Sequence, residues 1–120
     1  MLFRSPRADF DRWVRAQRQQ VSANVAMDTS AAEGRRVFET TACINCHVVA
    51  GTVATGRFGP DLTHLMSRDT IASGAAPNTP ENLRLWMQNP DAIKPASLMP
   101  AMNLTGQELD QMTAYLLTLR

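Results

Sequence analysis

The pentapeptide Cys43-Ile44-Asn45-Cys46-His47 constrains this chain more than any other feature. Residues three apart lie on one side of a helical turn. Cys43 and Cys46 can therefore reach along one edge of the same planar group, while His47 is rotated onward by one residue. C-x-x-C-H is the spacing of covalent haem attachment: the two thiols bond to the two vinyl groups and the imidazole ligates the iron. Other chemistries fit less well. A structural zinc site takes four ligands, and His64 is the only histidine beyond the motif. A thioredoxin-like dithiol needs a βαβ setting, and the sequence has no alternating strand pattern. A structural disulfide across two intervening residues is the least favoured.

Composition agrees with a cofactor but does not demand one. Only seven of the 120 residues are aromatic, while seven are Met and many are Ala. These are soft, small fillers for a core, and a rigid apolar cofactor would complete it. Charge is uneven. Residues 1–20 hold five Arg against two Asp, whereas residues 21–120 hold seven basic and nine acidic side chains. The acidic body argues against a nucleic-acid-binding face. The Arg-rich start reads as the solvated face of a short helix. No run of 18 apolar residues occurs, so no membrane span is expected. Met1-Leu2-Phe3-Arg4 lacks the apolar run of a signal peptide. Haem attachment of this kind normally follows export, so a mature or excised fragment is expected.

The chain divides into an N-terminal helical extension and linker, 1–29, and a main domain, 30–120. A first helix is expected over 8–20, with Phe10, Trp13, Val14 and Gln17 on one side. Residues 21–29 read as linker. Ser30 and Glu33 have capping-box spacing for a second helix, with Val37 and Phe38 on its apolar face. Residues 48–78 are loop, with one helical turn at 62–66. Thr79-Pro80 starts a helix whose stripe is Leu83, Trp86 and Met87, and Asn89-Pro90 stops it. Residues 90–103 are again loop. Thr105 and Glu108 box the last helix, Leu104 staples to Leu109, and Leu109, Met112, Leu116 and Leu119 form its face. The expected fold is all-α, with four to five short helices and long loops. Loops this long need an internal organiser, which a haem supplies.

Haem iron in electron carriers commonly has a second protein ligand, often Met. Met87 and Met112 lie on apolar helix faces and are explained by packing. Met27 precedes the haem helix, and Met66 is too close to the attachment turn to reach the far side. Met99 sits in a loop stiffened by Pro95 and Pro100. A stiff loop presents a weak thioether ligand at small entropic cost. Met99 is the leading candidate, with Met102 and a second imidazole from His64 as alternatives. A surface or propionate-side role is favoured for His64.

Over residues 30–120 the chain resembles class I cytochromes c. The resemblance is carried by Gly34 and Phe38, the Cys43–His47 motif, Gly59-Pro60-Asp61-Leu62, Arg68, Met99-Pro100 and Tyr115-Leu116. It implies a class I cytochrome c fold around one covalent haem c. It implies a close crossing of the first and last domain helices at Gly34. Pro60 would accept a hydrogen bond from His47, Arg68 would partner a haem propionate, and Trp86 would pack beside the Met ligand or serve as ordinary core. The segment Ser5-Pro6-Arg7-Ala8-Asp9-Phe10-Asp11-Arg12-Trp13-Val14 resembles the end of the copper domain in bacterial cytochrome c oxidase subunit II, which in some oxidases continues into a fused cytochrome c domain. That resemblance implies one-electron relay in aerobic respiration. The donor would be a soluble cytochrome or a quinol-oxidising complex, and the acceptor the copper centre. It implies a periplasmic or outer membrane-face location, with any anchor in the rest of the subunit. A free-standing carrier cytochrome, or the cytochrome domain of a periplasmic dehydrogenase or reductase, is the alternative.

Overall fold

Side-chain caps set where the longer helices of the body begin. The computed structural model describes residues 5–19 and 28–120; Met27 and most of the expected linker lie outside the described residues. The helices are α1 Arg7–Arg18, α2 Thr29–Thr40, α3 Cys43–Cys46, α4 Pro80–Gln88, α5 Pro90–Ile93 and α6 Gly106–Leu116. At α6 the Thr105 hydroxyl accepts from the Glu108 amide and the Glu108 carboxylate accepts from the Thr105 amide, the expected box. At α4 the Thr79 hydroxyl accepts from the Asn82 amide and Pro80 opens the helix. At α2 the cap is Asp28, whose carboxylate accepts from the Ala31 amide at 2.8 Å. The expected Ser30–Glu33 box does not form, and Glu33 instead pairs with Arg36 one turn on.

Two elements differ from the expected layout. Residues 90–93 form a single helical turn with Pro90 at its first position, rather than loop. A small antiparallel hairpin also appears, Thr70–Ile71 (β1) against Ala76–Pro77 (β2), where no strand was expected. Its turn places Ala72 at φ 53° and Ser73 at φ 57°. Neither residue is a usual carrier of that left-handed backbone, so no local turn signature marks the hairpin. The helical turn expected at 62–66 is a 3₁₀ turn at Leu65–Ser67.

The core sits where α2 crosses α6. Phe38 and Tyr115 bury fully, their ring centroids 5.6 Å apart and their planes tilted by 49°. Val37, Leu109, Met112, Leu116 and Leu119 surround them. Crossing this close requires a bare α-carbon. A Cβ added at Gly34 would lie 1.9 Å from the Gln111 carbonyl oxygen and 2.9 Å from Tyr115 Cβ. The first of these is backbone and cannot swing aside. Gly34→Ala should therefore destabilise the folded holoprotein by about 3 kcal/mol, the upper range for overpacking. Urea unfolding measures it; an unchanged midpoint would refute the crossing geometry.

Helix α1 stands apart from this core. None of its residues is buried, and Phe10 and Trp13 remain half exposed against each other. Arg7 pairs with Asp11, and Arg12 with Asp9, along its surface. No helix among the described residues is long and apolar enough to cross a membrane.

Candidate functional site

The motif forms one helical turn. Helix α3 begins at Cys43, and the His47 amide closes it on the Cys43 carbonyl at 2.9 Å. Both cysteines are half-buried free thiols. Thr41 Oγ1 lies 3.1 Å from Cys43 Sγ. Burial pushes the Cys43 thiol above its ordinary value, and the Thr41 hydroxyl offsets part of that.

The loop that follows folds back over the motif. The Gly56 amide donates to the His47 carbonyl at 3.0 Å and the Gly59 amide to the Cys46 carbonyl at 2.6 Å. A Cβ at Gly56 would come within 2.5 Å of the Asn45 and Cys46 backbone. A Cβ at Gly59 would lie 2.5 Å from His47 Cε1. Only glycine permits either approach. Next along the loop, the Pro60 carbonyl lies 2.8 Å from His47 Nδ1. A carbonyl oxygen only accepts, so Nδ1 carries a hydrogen, and the neutral ring so held has its lone pair on Nε2. That is the tautomer a metal-ligating histidine needs, and the partner also fixes the ring's orientation.

This donor set fits a haem: two thiols on one turn, an imidazole with a free Nε2, and a glycine clearing space against the ring. Half-buried Ile44, Leu62, Met66, Trp86, Ile93 and Leu104 pack onto the core. Among the described residues, no group of three or more His, Cys, Asp and Glu side chains gathers as a metal cage.

The other expected residues lie on separate elements. Met99 is half-buried in the loop after α5. Ser97 ties that loop down, its amide donating to Asp91 and its hydroxyl to the Met99 carbonyl, both at 3.3 Å. Ala96 and Asn103, on either side of Met99, have left-handed backbone at φ 61° and 53°. For Ala this is strained, and such strain clusters at functional positions. Met102 is half-buried in the same loop, while Met87 and Met112 are buried in the core. Trp86 is half-buried on α4. The Arg68 guanidinium donates to the Asp61 carbonyl and is exposed. Both ring nitrogens of His64 face main-chain oxygens, which leaves neither free as an iron ligand.

Gly56 and Asn78 were not singled out from the sequence. Asn78 Nδ2 donates to the Leu65 and Arg68 carbonyls, each at 3.0 Å, and its Oδ1 is buried without a partner among the described residues. The sole local signal for either was a glycine or an asparagine in a loop, and many loops hold one.

A profile of the cytochrome c family matches residues 31–120. Cytochrome c oxidase subunit 2 of Alkalihalophilus pseudofirmus is 35% identical over 115 residues, 95% of this chain and 32% of that protein. A nitric oxide reductase subunit of Paracoccus denitrificans is 33% identical over 90 residues, 73% of this chain and 57% of that protein. The solved c-type cytochrome SorU of Sinorhizobium meliloti aligns with a TM-score of 0.54 at 26% identity, covering 75% of this chain and 90% of that one. The chain thus spans about a third of the oxidase subunit it matches. A family profile over most of the chain, on top of an attachment turn built around Cys43 and His47, leaves one conclusion: the chain belongs to the cytochrome c family, and its cofactor is a covalently bound haem c with iron.

Proposed function

We propose that this chain relays single electrons into a terminal cytochrome c oxidase, as the cytochrome domain of its subunit II. The observation that carries this reading is the reach of the similarity. The oxidase subunit aligns with 95% of the chain, whereas the reductase subunit aligns with 73%. In this reading, 1–29 is the tail of a preceding copper domain with its linker, and 30–120 is the cytochrome domain. The domain works in the periplasm or at the outer face of the cytoplasmic membrane, and any anchor belongs to other parts of the subunit.

Haem c supplies the one-electron chemistry between ferric and ferrous iron. The chain's own residues hold and tune it. Cys43 and Cys46 would attach it, and His47, oriented by Pro60, would ligate the iron. Met99 would be the second ligand, presented by a loop that Pro95, Pro100 and Ser97 restrain. Arg68 would balance a propionate and Trp86 would pack beside the Met ligand. Apolar side chains enclosing the haem would keep water away, which would favour the less charged ferrous state. With both ligands retained, the iron would offer no open position for a substrate, and the domain would act as a relay alone. Exposed Asn45 and Ala101, with half-buried Ile44 and Met102, mark the edge where electrons enter. Lys94 is the sole lysine, so this surface lacks a lysine ring for docking on acidic partners. That favours a tethered domain.

The match to the nitric oxide reductase protein supports a second reading, relay into another membrane reductase. Anaerobic stopped-flow mixing separates the two. The reduced holoprotein should be oxidised rapidly by a copper-loaded subunit II domain and not by its copper-free form. Equal, slow rates with both would overturn the oxidase reading. Fast transfer to a nitric oxide reductase complex instead would establish the second.

A further inference from the structure

His64 stands between α1 and the haem-bearing body. Its Nε2 lies 2.9 Å from the Gln17 carbonyl oxygen, and its Nδ1 lies 2.7 Å from a main-chain oxygen of Arg120, the last residue of the sequence. Both oxygens act as acceptors, so both nitrogens must donate. A neutral imidazole has one N–H and the imidazolium has two. The two bonds therefore coexist only in the protonated ring. In the neutral ring, one nitrogen lone pair would face an oxygen lone pair.

The position suits a cation. Gln17 lies in the last turn of α1, where carbonyls lack intrahelical partners and the helix end carries partial negative charge. Histidine at a helix C-terminus stabilises it by this route. The charged neighbours are mixed. Arg18 from α1, with Asp61 and Arg68 from the loop, lines a cavity of about 240 Å³ beside His64, and Arg120 comes from the C-terminal segment. One Asp61 carboxylate oxygen is held by the Thr63 amide and hydroxyl, at 2.8 and 2.6 Å. The Arg68 guanidinium is held by the Asp61 carbonyl. Helix α1 buries none of its own residues, and this bridge ties its last turn to the body.

We infer that His64 is a proton-dependent latch that fastens the C-terminal end of α1 to the cytochrome body. Protonated, it makes both bonds and α1 is docked. As pH rises and the ring loses its proton, one bond is lost and α1 loosens. The inference rests on this contact alone and not on the oxidase reading.

The test is NMR on the ¹⁵N-labelled, reduced holoprotein, at about pH 5 and about pH 8, between which an imidazole changes charge. At the lower pH both His64 ring nitrogens should be protonated, and at the higher pH one. Hydrogen-exchange protection of the Ala16 to Gln19 amides, corrected for intrinsic rates, should fall about tenfold between them, as loss of one charge-assisted bond requires. His64→Phe should show the low protection at both pH values. His64→Arg, a permanent cation with several donors, should retain high protection at both. The haem absorbance of each variant checks that the body is folded. Wild-type protection that is equal at both pH values, or full protection in folded His64→Phe, would overturn the latch.

Discussion

Replacing Cys43 and Cys46 together by Ala should yield either no holoprotein or one whose haem is fully removed by acid-acetone extraction. The two thiols sit on one turn of α3, whose geometry depends on backbone bonds rather than on sulfur. The His47 ring would keep its Pro60 partner at 2.8 Å, so the iron ligand is left in place. What the double variant loses is the pair of carbon–sulfur bonds. Ligation by an imidazole and a thioether is reversible, whereas a thioether link to the porphyrin survives denaturation. Mass spectrometry of the denatured chain gives the answer directly: polypeptide plus haem for the native chain, polypeptide alone for the variant. Each single variant should keep one link and therefore the haem mass. Haem retained by the double variant through extraction would contradict covalent attachment at these two residues.

Met99→Ala should abolish the near-infrared charge-transfer band of Met-ligated ferric haem. It should also lower the reduction potential by a sizeable fraction of the roughly 0.8 V that axial ligands span. The thioether is a soft donor that stabilises ferrous iron, so its loss favours the ferric state. Alternatives are restricted by packing. Met87 and Met112 are buried in the core, and the backbone at Met66 is bonded to the Leu119 carbonyl at 2.7 Å. Met102 is the competitor, half-buried in the same loop. Met102→Ala should leave the band in place. An unchanged spectrum in Met99→Ala, or loss of the band in Met102→Ala alone, would move the ligand.

Legibility followed the range of the interaction. The caps of α4 and α6 were readable because donor and acceptor lie within three residues of each other. The cap of α2 is Asp28 rather than Ser30; both are good caps, and local preference does not separate them. The turn of α5 is too short for a periodic pattern. The hairpin at 70–77 depends on left-handed Ala72 and Ser73, which are set by surrounding contacts rather than by their own preference. In the site, Cys43, Cys46 and His47 stood out by spacing, whereas Gly56 shows its use only when the loop lies on the motif.

The amino-acid order by itself determined the haem chemistry, since the reach of two thiols and an imidazole is a matter of one helical turn. It also determined the helical class, through caps and apolar periodicity that act over a few residues. Tertiary structure alone decided that a bare Gly59 would lie against the His47 ring, and that His64 would join Gln17 to Arg120. The two His64 pairings span 47 and 56 positions, and hydrogen bonds at such separations exist only once the core has brought the segments together.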